Sequence, residues 1–197
     1  MSHFTHVSAE IRDLDACNKA LNNMGLTMQS YGSCRYYFGT EMKENVVRLP
    51  GQYDMALEKN GTGSYRITAD FYGGYVERTI GPRGSILLHN YSVEMLKKVA
   101  KRLHFYVTPK GNDIYKVRDP QDTDGGHMLV TVSKDGNLTF EPKGLKGKKC
   151  AKYLQLEDSL GKIEQREFTK EYLKESAAEV LSLIHISEPT RLALISY

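Results

Sequence analysis

Tryptophan is absent from the 197-residue chain, and cysteine occurs only three times, at positions 17, 34 and 150. An odd count without metal-ligand spacing excludes a disulfide framework and a cysteine-built zinc site as the organising device. A large excess of one sign of charge is missing as well. The net charge is only +3, whereas dedicated nucleic-acid binders carry a strongly basic face. Long apolar runs are missing too, and none approaches the ~18 residues of a membrane span. The opening "MSHFTHVSAEIRD" has the pattern of neither a signal nor a transit peptide. Few thiols and no membrane signal make the cytoplasm the expected setting. What is present is globular in composition, with 40% hydrophobic and 26% charged residues. The length suits one ordinary domain or two small ones.

Apolar spacing supplies the elements. "HVSAEI" reads as a first strand, and "DLDACNKALNNMG" as a helix with Asp13 as N-cap and Gly25 as stop. Leu14, Cys17, Leu21 and Met24 then share one face, which makes Cys17 a core residue. "YDMALEKNGTGSYRITADF" predicts an antiparallel hairpin. Tyr53, Met55, Leu57, Ile67 and Phe71 turn inward on it, while Asp54, Glu58, Arg66 and Asp70 stay wet. "SVEMLKKVAKRL" predicts a helix capped by Ser92, and "HFYV" and "IYKV" predict short strands. The acidic, turn-rich "DPQDTDGG" at 119–126 reads as a linker. Beyond it come a hairpin turning at Lys134–Asp135–Gly136–Asn137, a helix closed by Gly161, the extended piece "KIEQREF" and a last helix capped by Thr169. The expected class is therefore α+β. A larger βαβ(β)αβ unit over 1–118, for which a ferredoxin-like arrangement is the candidate, precedes a small ββα unit over 127–180.

Four stretches bear chemistry. "KGLKGKKCAK" sets Lys143, Lys146, Lys148, Lys149 and Lys152 around Cys150 in the first turn of a helix. Helix dipole and ammonium groups favour a thiolate there, or a bound anion; the plainer reading packs Cys150 against Tyr153. "YGSCRYYFG" gathers Tyr31, Tyr36, Tyr37 and Phe38. Such a cluster forms a protein interface, preferred here, or stacks nucleobases; the basic groove that stacking wants has only Arg35 and Lys43 nearby. "FYGGYVERTIGPRG" could cradle a phosphate beside Arg78 or Arg83, but it lacks a P-loop's Lys-Ser/Thr, and a mobile surface loop is the simpler expectation. His3 and His6 form H-x-x-H with no third ligand evident, short of the three protein ligands zinc needs. His89 and His104 read as structural. No cofactor or metal is expected.

Two blocks, "MSHFTHVSAEIRDLDACNKALNNMGL" and "VVRLPGQ…YDMALEKNGTGSYRITADFYGG", resemble the hypothetical-chloroplast-frame-thirty-five family over about 1–118, although "YVERTIGPRGSILLHN" departs from its shorter aromatic segment. Residues 128–177 are similar to a second small family, through Asp135–Gly136, "GLKGKKC", Leu160–Gly161 and Glu171–Tyr172. Both are families of unknown function; the first is of cyanobacterial, plastid and phage type, and the two occur as neighbouring genes, in some genomes beside an AAA-type ATPase or a ferredoxin. The resemblance implies an accessory or adaptor protein, not an enzyme, whose partner is an AAA-type ATPase. Thiol-dependent redox or anion-binding chemistry at Cys150 is the alternative, and nucleic-acid binding ranks third. The last stretch, "LSLIHISEPTRLALISY", back-translates from Leu181 to Arg191 as the adapter of transposase-based library preparation. Residues 181–197 are therefore expected to be adapter-derived and are set aside.

Overall fold

The computed structural model describes residues 3–7, 10–145, 149–160 and 163–168. The expected helix capped by Thr169 and the adapter-like stretch 181–197 lie outside them. Asp13 starts helix α1 (Leu14–Asn23) by accepting the Ala16 N–H at 2.9 Å, and Gly25, at a φ of 72°, ends it. Ala16, Cys17, Ala20 and Leu21 are buried along one face, as the spacing requires.

Strand β1 (His3–Val7) precedes α1, and β2 (Met28–Tyr36), β3 (Gly39–Val47), β4 (Met55–Lys59) and β5 (Tyr65–Ala69) follow it. These last four form one antiparallel sheet in the order β2-β3-β4-β5. The β4–β5 hairpin forms with Leu57 opposite Ile67 and Glu58 opposite Arg66. Two residues depart from simple alternation. Asp54, expected to be wet, is fully buried, and Phe71, expected inside, is 36% exposed. Phe71 lies past the end of β5, where the chain turns away, so the strand's period no longer governs it.

The stretch expected to be a mobile loop is helical. Over 71–84 it forms 3₁₀ turns at Tyr72–Gly74 and Pro82–Gly84 around α2 (Glu77–Ile80), and α3 (Ser85–Arg102) starts directly after it. Ser92 is thus no cap. It sits buried within α3 and donates to the Gly136 carbonyl at 2.6 Å. The chain breaks earlier, at Gly81 and Gly84, whose φ values of 81° and 82° suit glycine. A Cβ on Gly84 would lie 2.5 Å from Ile67 Cδ1, so this glycine also permits the close approach of α3 to the sheet.

Strands β6 (Tyr106–Gly111), β7 (Ile114–Arg118), β8 (His127–Val132) and β9 (Leu138–Lys143) precede helix α4 (Lys149–Leu160) and β10 (Ile163–Phe168). Asn112 and Asp113, both left-handed, make the tight β6–β7 turn. With β1 these strands form a six-stranded sheet in the order β10-β1-β9-β8-β7-β6, and every pairing is antiparallel. The α+β class and the β8–β9–α4 succession match expectation. The distribution over sheets differs: β1 leaves its sequence neighbours to pair with β9 and β10, and β7 pairs with β8 across 119–126. The linker is a connection within one sheet. A ferredoxin-like βαβ needs a parallel pair, and none occurs among the described residues.

Helix α3 lies between the two sheets' cores. Its Leu87 and Tyr91 join α1, α2 and the four-stranded sheet, whereas Leu96, Val99 and Ala100 join β6–β9 and α4; Met95 touches both. The Tyr91 hydroxyl accepts the Arg12 and Asp13 N–H groups at 2.9 and 3.3 Å, fastening the start of α1 to α3.

Candidate functional site

Tyr37 and Phe38 occupy the tip of the β2–β3 hairpin, where neither strand can bury them. Phe38 is 97% exposed. Tyr37 meets it edge-on at 4.8 Å between ring centroids and meets Tyr72 at 5.1 Å. Tyr72, from the turn after β5, is 68% exposed. Asp70 joins the two segments: its carboxylate accepts the Tyr37 N–H and the Tyr72 N–H, each at 2.9 Å. The outcome is a cluster of three exposed rings whose backbone is tied on both sides.

Beneath it the hairpin is braced by a buried charge. Asp54 accepts from Arg35 Nε at 2.8 Å and Nη2 at 2.7 Å, and from Arg48 Nη1 at 2.9 Å. It also accepts the Arg35 and Leu49 backbone N–H groups, at 3.1 and 3.2 Å. Burial alone would raise the Asp54 pKa. The Arg35 side chain and the two backbone donors outweigh burial and hold it below the ordinary carboxylate value. The Asp54 N–H returns to the Arg35 carbonyl at 3.0 Å, so the approach to β4 is locked to the end of β2.

Beside the rings lies a cleft of about 340 Å³ walled by Tyr36, Glu41, Lys43, Thr68, Asp70 and Phe71. Lys43 bridges Glu58 at 2.9 Å and Glu41 at 3.0 Å, and Arg66 reaches Glu58 at 2.9 Å. Glu58 is accordingly held down to about 2, chiefly by Lys43, then by Thr68 and Arg66. Tyr36 is not one of the exposed rings. It packs on the small cluster of Cys34, Val46 and Ala56, its hydroxyl is buried without a hydrogen-bond partner among the described residues, and burial pushes its pKa up. Of the tyrosine pair singled out in the sequence, Tyr37 reaches the surface cluster and Tyr36 supports it. Tyr72 and Asp70 were missed as members. They lie more than thirty positions away, and only the β-sheet register brings them together.

Both lysines of the lysine-rich stretch whose side chains are described are ion-paired. Lys152 pairs with Asp119 at 2.6 Å and lies over the Phe105 ring at 4.9 Å; Lys143 pairs with Glu141. Lys146 and Lys148 lie outside the described residues. Lys149 and Cys150 open α4, as the spacing predicts, but their side chains lie outside the description. The other two cysteines are free thiols and buried. Burial, with Asp13 adding to it, pushes Cys17 up to about 12, and burial raises Cys34 too. Arg78 stacks on Tyr75 at 5.5 Å, and Arg83 stands at the turn between α2 and α3. His89 Nδ1 lies 2.9 Å from the Ser133 carbonyl and Nε2 lies 3.4 Å from Asp113, a structural setting. His104 is exposed just past the end of α3. His3 and His6 lie in β1, their side chains outside the description. Among the described residues no group of three or more His, Cys, Asp or Glu is placed to hold a metal ion.

A family model described as "Protein of unknown function (DUF2997)" matches residues 129–173, which include most of β8 and all of β9, α4 and β10. No curated protein matches the chain.

Proposed function

We propose that this chain is an accessory protein that docks onto another protein through the hairpin tip formed by Tyr37, Phe38 and Tyr72. One observation carries the reading. Three large rings stand exposed together on a tip held by the ion pair of buried Asp54 with Arg35 and by Asp70. Aromatic side chains offer large contact area at low entropic cost, and clustered aromatics anchor interfaces. Fixing them in advance lowers the ordering cost of association. An AAA-type ATPase is the partner that the family resemblance favours. A thiol or anion site at Cys150 is the alternative, supported by the place of Cys150 in the first turn of α4. The test is binding of a purified AAA-type ATPase from the native host. The wild-type chain should bind it, and the variant with Tyr37, Phe38 and Tyr72 all changed to Ala should bind at least tenfold more weakly, while Cys150→Ser binds normally. Loss of binding in Cys150→Ser with the triple variant unaffected moves the site to α4.

A further inference from the structure

A second surface is set apart by charge. Between Lys97 and Arg118 the chain carries seven basic side chains and one acid, Asp113, although the whole chain is only +3. The mild net charge therefore conceals a concentrated patch. Lys97 is partly neutralised by Glu94 at 2.8 Å, and Lys98 turns away to Asp13 at 2.6 Å. Lys101, Arg102, Lys116 and Arg118 form no ion pair among the described residues.

The fold arranges these groups around one strand. Val107 and Val117 face each other toward the core, so Tyr106 with its cross-strand partner Arg118, and Thr108 with Lys116, stand on the open face of the six-stranded sheet. Tyr106 is 63% exposed. Along the same edge strand a groove of about 460 Å³ runs between α3 and β6, lined by Lys97, Lys101, His104 and Tyr106 among others. Tyr106 thus has Arg118 as its cross-strand neighbour and shares the groove with Lys97 and Lys101.

β6 is the edge of its sheet, so an added peptide strand would be a natural occupant. Pro109 in the middle of β6 has no N–H to give and discourages such pairing. An aromatic platform in a cationic groove has a different use: the rings stack on bases while the cations follow the phosphates. We infer that the surface around Tyr106, Lys97, Lys101, Lys116 and Arg118 binds single-stranded nucleic acid. It is separate from the hairpin tip, so each surface can be tested without the other.

The experiment is fluorescence anisotropy of the full chain with a labelled oligothymidylate about 15 nucleotides long, from about 50 to 200 mM salt, with poly-glutamate as competitor. Binding should weaken with salt at a log–log slope of about −3, as four phosphate contacts on a single strand give. Tyr106→Ala should weaken it about tenfold, and Lys101→Gln or Arg118→Gln should each reduce the slope by roughly 0.7. Phe38→Ala should leave it unchanged. Absence of binding at the lowest salt overturns the inference, as does a folded Tyr106→Ala that binds normally. Displacement by poly-glutamate at equal charge concentration also overturns it, assigning the patch to an acidic protein segment.

Discussion

Replacing Asp54 by Ala removes one carboxylate and strands five donors. The Arg35 guanidinium loses two bonds, Arg48 loses one, and the Arg35 and Leu49 N–H groups lose theirs. Asp54 is fully buried, so water does not simply replace it. Breaking a buried ion pair by deleting one partner costs about 3–5 kcal/mol. Orphaned buried amides cost about 1–3 kcal/mol each where they stay dry, but Arg35 is partly exposed and can relax toward solvent. These opposing effects place Asp54→Ala at about 3–5 kcal/mol. Asp54→Asn keeps an acceptor but loses the charge, and should cost about half as much. Arg48 is 47% exposed at its side chain and should be nearly dispensable, within about 1 kcal/mol on change to Ala. Urea titration followed by far-UV circular dichroism gives all three values. Asp54→Ala within 1 kcal/mol of the wild type, or Arg48→Ala as costly as Asp54→Ala, would refute the claim that buried Asp54 braces the hairpin.

Acid should destabilise the fold through Glu58. Its folded pKa is depressed to about 2 from an ordinary 4.5, so its contribution is full above pH 4.5 and is lost as pH falls toward 2; Glu58→Gln should flatten that part of a pH–stability curve, and an unchanged curve would contradict the assignment. Gly84→Ala meets both a positive φ and Ile67 Cδ1 at 2.5 Å, and should lower stability by about 1–3 kcal/mol in thermal unfolding, whereas Gly61→Ala, with open space around it, should be nearly silent. Cys17, pushed up to about 12 and buried, should resist iodoacetamide at pH 8 until the protein unfolds, and rapid labelling in the native state would show that α1 opens locally.

Local signals were legible where one element settled the matter alone. Asp13 capped α1 as read, the β4–β5 hairpin formed in the expected stretch, and α4 began where the sequence placed it. What stayed hidden depended on distant partners. Asp54 alternates as a wet residue, and only the approach of Arg35 and Arg48 makes its burial tolerable. Ser92 has the chemistry of a cap, but Gly136 accepts its hydroxyl from another hairpin and lets the helix run through. The β2–β3 hairpin has little apolar alternation because most of it faces solvent, so the period that marks strands was weak. The two sheets were illegible for the same reason: nothing local tells β1 to pair with β9 and β10 rather than with β2. At the candidate site, the aromatic run at Tyr36–Phe38 was visible in sequence. Which of its rings faces out, and that Tyr72 completes it, follows from Asp70 bridging the two turns.

The most direct test of the docking reading is photo-crosslinking in the native host, with a benzophenone amino acid at Phe38 or, as a control on the open sheet face, at Arg66. Both side chains are exposed, and only the first belongs to the ring cluster. The account predicts that the probe at position 38 captures a single dominant protein, an AAA-type ATPase, and that capture disappears when Tyr37 and Tyr72 are also changed to Ala. Equal capture from position 66, or none from position 38 in a chain that is expressed and folded, would contradict it.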